Sequence, residues 1–461
     1  MKKLTILSLL LTLVFYHGVQ AQSDSVYSLD KCIKYAFENQ ANVKNAVLDQ
    51  QISQYKIKET RGYGLPQISL DATSMYNIAL RPMFMTAERG YGFQGQPVPV
   101  GVDPNSVIAI PNVFQLKASN EANLNATQLI FDGSYIVALQ ASKTYRELAT
   151  KSVTQTKIET VDKITKGFYL VLINEQRVGL LESNLIRLDT ALKQLRIVNE
   201  NGLAESLELN RLEVAYNNLA TDLVSVKNQI ILTYSLLKYQ MGYPVDLPLK
   251  LNGDLNELVE RLNTAYNPEV GENVYDKRIE YSLMQTQKTL SDLNFKNSKA
   301  ISYPKLVAFG NAGLVNSQSD YGKLYSTSYY GFGHVGVRLS VPLFTGLNHY
   351  YQQQQAKIEV QKIDNNLLMM EDVIDLQIQQ TNLVLKNNIA NIKSQRRNLD
   401  LADQVIKVTK IKYDEGVGTN LEMVDAENSF KTAQTNYYNA VYDALISLID
   451  YQKATGTLYG E

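Results

Sequence analysis

The chain has 461 residues, and its 45 lysines and arginines nearly balance 46 aspartates and glutamates, giving a formal net charge of −1. This balance excludes the basic surface of nucleic-acid binding proteins, so nucleic acid is not expected as a partner. The single cysteine, Cys32, cannot form an internal disulfide, and we interpret it as a packing residue. Three histidines do not form a metal-binding pattern, so no metal and no cofactor are expected.

The first 21 residues predict a secretory signal peptide. Lys2 and Lys3 precede an apolar run at residues 4–15, and Val19-Gln20-Ala21 has the small-residue pattern of a cleavage site. The mature chain is therefore predicted to begin at Gln22. No later stretch approaches 18 consecutive apolar residues, so no transmembrane helix is expected.

A 41-residue stretch at residues 202–242 recurs 214 positions later, at residues 416–456. The matched positions are Gly202, Leu207, Glu208, Glu213 and Gly242 in the first copy, and Gly416, Leu421, Glu422, Glu427 and Gly456 in the second. The same order of parts precedes each copy: a helix, a strand that opens with proline, a loop, a second strand and a Phe-x-Gly turn. A duplicated unit of this length determines the architecture of the whole chain.

Four segments are predicted to be strands because apolar and polar residues alternate along them. Residues 68–80 and 116–126 form the first pair, and residues 306–315 and 334–341 form the second, although residues 306–315 are apolar on both faces. Strands of about 10 to 16 residues meet the roughly 9 to 11 residues that a tilted membrane strand needs.

Each Phe-x-Gly turn, Phe131-Asp132-Gly133 or Phe344-Thr345-Gly346, is followed by a very long predicted helix. In the first of these helices an apolar seam predicts coiled-coil packing; it comprises Val161, Ile164, Phe168, Val171, Val178, Leu181, Leu185, Leu188, Leu192 and Leu195. The second helix has a weaker seam, rich in Gln and Asn. Its polar face is interpreted either as solvated or as lining water inside a tube. Residues 28–61 are predicted to be helical.

Four membrane strands cannot remain a separate sheet in lipid, because two open edges would leave backbone groups unpaired in hydrocarbon. The chain is therefore expected to oligomerise. Two copies would give eight strands with a filled interior, whereas three copies give twelve strands and room for water. A homotrimer is the smallest assembly whose closed barrel would have a water-filled interior.

The order and duplication of these segments resemble the TolC family of trimeric outer-membrane efflux ducts. The resemblance rests on residues 28–39, on Leu65-Pro66-Gln67-Ile68-Ser69, on the two Phe-x-Gly turns and on residues 416–427. It implies an α+β membrane protein with two tandem repeats. A trimeric 12-stranded β-barrel, with four strands from each chain, would continue into a long periplasmic α-helical coiled-coil barrel.

The predicted domains follow from this plan. After the signal peptide (1–21), the first repeat spans residues 22–242, with strand pair 66–131, long helix 134–199 and helix 203–242. An equatorial linker (243–275) leads to the second repeat (276–461), with strand pair 304–344, long helix 347–413 and helix 419–456. Residues 81–112 and 317–331 would be extracellular loops. The first loop is long and apolar, and two roles are open for it: capping the mouth or packing on a neighbour.

Two carboxylates near the second tip, Glu422 and Asp425, lie three residues apart and so share a helix face. The resemblance implies that this face points into the tube, where three copies would form acidic rings at the pore constriction. Such rings favour cations and can bind a blocking divalent ion. The alternative is an exposed carboxylate stabilised by the positive end of the helix dipole.

The turns that join the long helices are candidate docking tips for an adaptor. They contain Gly202, Leu203, Gly416, Val417 and Gly418, and glycine there can end a helix in the left-handed conformation. The alternative is that these glycines serve the turns alone. The tips are not expected to be equivalent, since the first carries Arg211 where the second has Asp425.

Two formal G-x-G-x-x-G matches, residues 90–95 and 331–336, lack the strand before and the helix after that a dinucleotide site needs. No enzyme activity is expected. We interpret the chain as a passive exit duct of the outer membrane with a periplasmic extension. Its expected partners are outer-membrane lipid, a periplasmic adaptor and an inner-membrane pump of RND or ABC type. The alternatives are the outer component of a type I protein secretion system and, less favoured, a structural trimeric adhesin stalk.

Overall fold

The computed structural model of the chain describes residues 26–265 and 274–460. The predicted signal peptide and its cleavage site lie outside the described residues. The chain divides into two compact units: a helical unit formed by residues up to 51, 148–286 and from 365 onward, and a sheet unit formed by residues 52–147 and 287–364.

Long helices dominate the chain. They are α1 (Leu29–Asn39), α2 (Ala41–Gly62), α3 (Ala87–Phe93), α4 (Gly133–Glu200), α5 (Ser206–Met241), α6 (Leu255–Ala265), α7 (Val274–Lys277), α8 (Ile279–Ala300), α9 (Asn348–Asp414) and α10 (Asn420–Ala454). The strands are β1 (Gln67–Tyr76), β2 (Met83–Thr86), β3 (Val107–Ile110), β4 (Ala118–Phe131), β5 (Lys305–Gln318) and β6 (Tyr330–Ser340). Within the described residues, no helix is both long enough and apolar enough to cross a bilayer.

The sheet unit contains a four-stranded antiparallel sheet with the strand order β1-β4-β5-β6. The first repeat contributes β1 and β4, the second contributes β5 and β6, and the repeats meet where β4 pairs with β5. β1 is shorter than the predicted strand at residues 68–80, because the chain bends at residues 78–79 and leaves the sheet. β1 and β6 are the edge strands.

One face of this sheet is apolar across all four strands. A typical row runs from Leu70 on β1 through Leu124 and Ala312 to Gly333 on β6, each residue being the register partner of the next. Val335 on β6 belongs to the same face, and 89% of its surface is exposed. Among the described residues, nothing covers this face at the edge strands.

The opposite face is polar on β1 and β4, and its polar side chains bond across strands. On β5 and β6 it also carries apolar residues: Val307, Phe309, Val315 and Phe332. Asn125 on β4 donates from Nδ2 to Asp71 Oδ2 on β1 at 2.7 Å. Asn311 on β5 donates in turn to Asn125 Oδ1 at 2.5 Å. The period-2 alternation in the sequence therefore gives β1 and β4 one apolar and one hydrophilic face, whereas β5 is apolar on both, as its sequence predicts.

In the helical unit, the apolar seam of α4 lies in two buried clusters. The first contains Ile164, Phe168 and Val171 from α4, together with Cys32, and the second contains Leu181, Leu188, Leu192 and Leu195. Glu175 interrupts the seam, and its carboxylate accepts a hydrogen bond from Tyr234 Oη at 2.6 Å. The carboxylate of Glu175 is tolerated in the seam because the Tyr234 hydroxyl donates a hydrogen bond to it.

The two sequence repeats have the same backbone at their matched glycines. Gly202 and Gly416 have φ values of 72° and 74°, and Gly242 and Gly456 have values of 70° and 71°. At each of the four sites, the residue after the glycine donates its N–H to the carbonyl five positions earlier, as in a Schellman motif. The sequence duplication is thus a structural duplication.

Residues 28–61 are helical as predicted, with one interruption that the sequence did not indicate, at Gln40 between α1 and α2. Gln40 has an extended ψ of 129°. The end of α5 packs against this break so closely that a Cβ at Gly242 would lie 2.9 Å from the Asn39 carbonyl oxygen. Gly456 approaches the Lys277 carbonyl in the same way in the second repeat. A straight helix would occupy the space that α5 fills.

An ion-pair cluster joins α4 to α10 in the helical unit. Asp162 on α4 lies 2.8 Å from the Nζ atoms of both Lys166 and Lys453, and Lys166 also reaches Asp450 at 2.6 Å. Burial by itself would raise the pKa of Asp162, but its two lysine partners outweigh burial and hold the pKa below its usual value. The ionised carboxylate is therefore the form that stabilises this joint.

We predict that Asp162→Asn lowers the free energy of unfolding by about 1–2 kcal/mol at neutral pH, because two charged hydrogen bonds are lost. The depressed pKa means that Asp162 contributes stability above its unfolded pKa, near 3.9, and loses that contribution as pH falls through the lower folded pKa. Urea unfolding followed by circular dichroism in detergent, repeated between pH 7 and pH 3, measures both effects.

Asp189→Asn is the matched control, since Asp189 lies on the same helix and pairs with an exposed Lys193. Such surface pairs contribute little, so this variant should stay within about 0.5 kcal/mol of the parent. Equal losses from the two variants would contradict the role assigned to Asp162.

Candidate channel constriction and docking tips

Two tips close the helix pairs of the helical unit: residues 201–205 join α4 to α5, and residues 415–419 join α9 to α10. A Cβ at Gly202 or Gly416 would meet no atom within 4 Å, so positive φ is what requires glycine at these two positions. Gly418 differs, because its Cβ would lie 2.9 Å from the Tyr413 backbone nitrogen. Close packing requires glycine there.

Each tip exposes one large apolar side chain. Leu203 is 81% exposed and Val417 is 78% exposed. The tips are also joined within the chain, since Asn420 Nδ2 donates to the Glu208 carbonyl oxygen at 2.8 Å and the Asn420 side chain is buried. The candidate docking residues therefore lie on a small surface held together by a buried hydrogen bond.

Glu422 is part of a capping box at the start of α10. Thr419 Oγ1 accepts a hydrogen bond from the Glu422 N–H at 3.2 Å, and Glu422 Oε2 accepts one from the Thr419 N–H at 3.4 Å. The sequence Thr419-Asn420-Leu421-Glu422 carries the T-x-x-E signature of this motif, which our sequence reasoning missed. The cap restrains the position of the Glu422 carboxylate.

Asp425 lies one turn further along α10 and is exposed, as Glu422 is. Between and beside them, Met423 and Ala426 are buried against the rest of the helical unit. The two carboxylates therefore share one side of α10 that no other part of the described chain covers. This is the arrangement that the spacing predicts.

Sequence reasoning missed a buried polar cluster one turn further on. Glu427 is only 6% exposed, and its two carboxylate oxygens accept hydrogen bonds from Arg187 of α4. The Nε–Oε1 and Nη2–Oε2 distances are both 3.3 Å. Arg187 Nη2 also donates to Asn184 Oδ1 at 2.6 Å, and Asn184 Nδ2 donates to Gln434 Oε1 at 2.9 Å. This cluster fixes α10 against α4 behind the side that carries Glu422 and Asp425.

A groove of about 450 Å³ runs between α5 and α10 beside this cluster. Leu188, Leu219 and Val424 give it an apolar lining. Among its charged lining residues, Lys431 pairs with Asp222, and Glu427 pairs with Arg187. Arg211 also lies in this lining, so the Arg211 difference between the tips falls in the groove.

In the sheet unit, tyrosines gather at one end of the four-stranded sheet. Tyr321 Oη lies 2.9 Å from Ser74 Oγ, and Tyr325 Oη donates to Tyr321 Oη at 3.3 Å. Asn120 Nδ2 donates to Tyr329 Oη at 3.1 Å. Aromatic residues at the end of an apolar sheet face are typical of the girdle that marks a membrane–water interface.

An amphipathic four-stranded sheet that interrupts two pairs of very long helices defines the class of the protein: one subunit of an outer-membrane channel with a helical extension. The comparisons agree with this class. The sequence profile of the family described as outer membrane efflux protein matches residues 292–457. The chain is 20% identical over 337 residues to the outer membrane protein TolC of Vibrio cholerae, covering 73% of this chain and 76% of that protein.

Solved structures share the fold across nearly the whole chain. The CusC channel superimposes with a TM-score of 0.73 at 14% identity, covering 96% of this chain and 95% of CusC. VceC of Vibrio cholerae gives 0.68 at 15% identity, with 93% and 96% covered. The open state of MtrE from Neisseria gonorrhoeae gives 0.67 at 15% identity, with 93% and 88% covered.

Residues 292–457 thus match the outer membrane efflux proteins, and most of the chain is homologous to TolC. The predicted resemblance and the predicted fold of the single chain are confirmed, with four paired strands and two long helix pairs. The predicted localisation in the outer membrane, with a periplasmic extension, is confirmed by the same relationships.

We predict that Glu427→Ala destabilises the helical unit by about 2 kcal/mol, because it removes the carboxylate partner of Arg187 and leaves the buried amides of the cluster without their neighbour. Glu213→Ala is the matched control, since Glu213 occupies the equivalent position of the first repeat but is only half-buried. It should cost less than about 0.5 kcal/mol. Denaturant unfolding of the two variants compares them, and similar losses would contradict the structural role of the cluster.

Proposed function

We propose that the protein is the outer-membrane exit duct of a tripartite efflux system. It conducts substrates passively from an inner-membrane pump of RND or ABC type and a periplasmic adaptor, and it has no chemistry of its own. The observation that carries this proposal is the amphipathic sheet with two open edges, in a chain related to outer-membrane efflux proteins.

The open edges support a homotrimer. β1 and β6 each have one edge without a strand partner among the described residues, and pairing β1 of one copy with β6 of the next closes a barrel. Three copies give twelve strands, with apolar faces toward lipid and polar faces toward water. α9 also leaves an apolar stripe exposed in the single chain, which suits packing between copies. It comprises Leu368, Leu376, Leu383, Leu401, Val405 and Val408.

Glu422 and Asp425 are proposed to form the constriction of the channel. Their shared uncovered side of α10 supports this, because the opposite side is fixed by Met423, Ala426 and the Glu427 cluster. Three copies would bring six carboxylates together. Close carboxylates favour cations and bind divalent ions.

The two tips are proposed to dock the adaptor. Leu203 and Val417 present apolar surface to water, and the groove between α5 and α10 lies next to them in the helical unit. Exposed apolar residues around a groove are typical of interaction sites. Helical ends of the adaptor would pack on this surface.

We predict that the detergent-extracted protein has the mass of three mature chains. Val335→Arg should reduce the amount of trimer in the outer membrane strongly, because arginine on a lipid-facing strand position costs about 2–4 kcal/mol near the midplane of the bilayer. The measurement is the trimer band of the outer-membrane fraction on a gel run without heating.

His334→Arg is the control, since His334 is adjacent in sequence but lies on the polar face. It should leave the trimer in place. A soluble monomer, or equal loss from the two variants, would contradict the proposed barrel.

We predict that Glu422→Gln combined with Asp425→Asn raises single-channel conductance and weakens divalent block about tenfold, which is ~1.4 kcal/mol. Gln also serves at this position of a capping box, so the double variant removes charge and keeps the cap. Recordings in planar bilayers, with and without divalent ions, measure the effect.

Thr419→Ala tests the opposite combination, because it removes the side-chain cap and keeps both charges. Its conductance and divalent block should match the parent. Unchanged block in the double variant would assign both carboxylates to the outer surface of the helices.

We predict that Leu203→Asp combined with Val417→Asp gives trimers that insert normally but fail to bind adaptor and fail to support efflux. Neither change touches the glycines that need positive φ. Adaptor pull-down and drug susceptibility of cells measure the two losses. Val245→Asp, another exposed apolar residue changed to the same acid, should behave like the parent. Efflux at the parental level in the double variant would exclude the tips as the docking surface.

A further inference from the structure

The segment between β1 and β4, residues 77–117, folds into a small element of its own. β2 and β3 form a two-stranded antiparallel ribbon that is separate from the four-stranded sheet. α3 covers one face of the ribbon, where Met85 pairs with Ile108. The packing is close, since a Cβ at Gly90 of α3 would lie 2.7 Å from Ile108 Cδ1.

The other face of the ribbon has no cover among the described residues. It consists of Phe84 and Thr86 on β2, and Val107 and Ala109 on β3. Phe84 is 68% exposed and Val107 is 70% exposed, and the face carries no charge. A two-stranded ribbon is marginally stable in water unless its apolar surface packs against something. This face, here called the ribbon face, is therefore incomplete in the single chain.

We propose that the ribbon face is an interface between copies of this chain, in which it packs on the neighbouring copy at the mouth of the channel. The inference rests on the proposed trimer. The proposed contact lies outside the barrel wall. Of the two roles that the sequence left open for this loop, capping the mouth and packing on a neighbour, it favours packing on a neighbour.

The position of the segment in the chain identifies the neighbouring copy as the occupant. β1 is an edge strand, and the segment begins directly after its last residue, Tyr76. β6 is the other edge strand, and because β1 and β6 run in opposite directions, the first residue of β6 lies at the same end of the sheet. When β1 of one copy pairs with β6 of the next, the segment emerges at the junction between them.

The neighbouring copy presents matching chemistry at that junction. Tyr330 begins β6, and its side chain is largely exposed in the single chain. Tyrosine combines an apolar ring with a hydroxyl that can stay in water, and it is enriched in protein interfaces. Packing this ring on the ribbon face buries no charged side chain. We therefore assign Tyr330 of the next copy as the contact of Phe84 and Val107.

Disulfide cross-linking between two differently tagged chains tests the contact. One chain carries Phe84→Cys and the other Tyr330→Cys, and co-expressed trimers are treated with an oxidant. The native Cys32 is fully buried and will not compete. We expect a disulfide-linked dimer that contains both tags. Val100→Cys, fully exposed in the same segment but outside the ribbon face, is the control and should cross-link at least fivefold less.

Intact trimers without this heterodimer would overturn the inference while leaving the proposed duct standing, whereas absence of any trimer would overturn both. A photo-reactive amino acid at position 84 identifies what packs on the ribbon face: capture of a second copy supports the contact, and capture of lipid or of a foreign protein in its place overturns it.

Finally, Phe84→Ser combined with Val107→Ser should lower the dissociation temperature of the trimer by several degrees. An unchanged temperature would count against the contact.

Discussion

The unpaired backbone at the two edges of the sheet is the constraint on which the rest of the molecule depends. β1 and β6 are 10 and 11 residues long, and each has one edge without a strand partner in the described chain. Hydrocarbon offers no water to these N–H and C=O groups, and each unsatisfied group costs several kcal/mol. A sheet that is apolar on one face therefore needs further copies to close it. Pairing of β1 with β6 of the next copy satisfies the open backbone edges and leaves the exposed apolar residues of both strands facing lipid.

Duplication gives the chain two nearly matching halves, and a few differences distinguish the second tip from the first. The matched glycines have the same φ values, and the end of α5 and the end of α10 each pack on a break in an earlier helix. In contrast, Glu427 is buried against Arg187 while its counterpart Glu213 is half-buried, and Asp425 replaces Arg211. The matched glycines maintain the same fold in both halves, and the side chains that differ make the two tips chemically distinct.

Local periodicity in the sequence was enough to predict most of the secondary structure. Alternation placed the strands, the 3.6-residue period placed the seam of α4, and the Phe-x-Gly turns placed the starts of both long helices. The break at Gln40 could not be predicted in this way, since it depends on the close approach of Gly242, some 200 positions away. The Arg187–Glu427 contact joins residues 240 positions apart and has the same origin. The capping box at Thr419 and Glu422 was readable, because T-x-x-E is a local pattern.

That capping box makes the two candidate constriction residues physically unequal. The Glu422 carboxylate accepts the Thr419 N–H and lies at the N-terminus of α10, where the helix dipole already stabilises its negative charge. Asp425 has no hydrogen bond of this kind to the backbone at the helix start, and its exposed side chain can reorient. In a channel lined by both residues, a cation would therefore interact more strongly with Asp425. Glu422 would chiefly fix where α10 starts, and thereby where Asp425 lies.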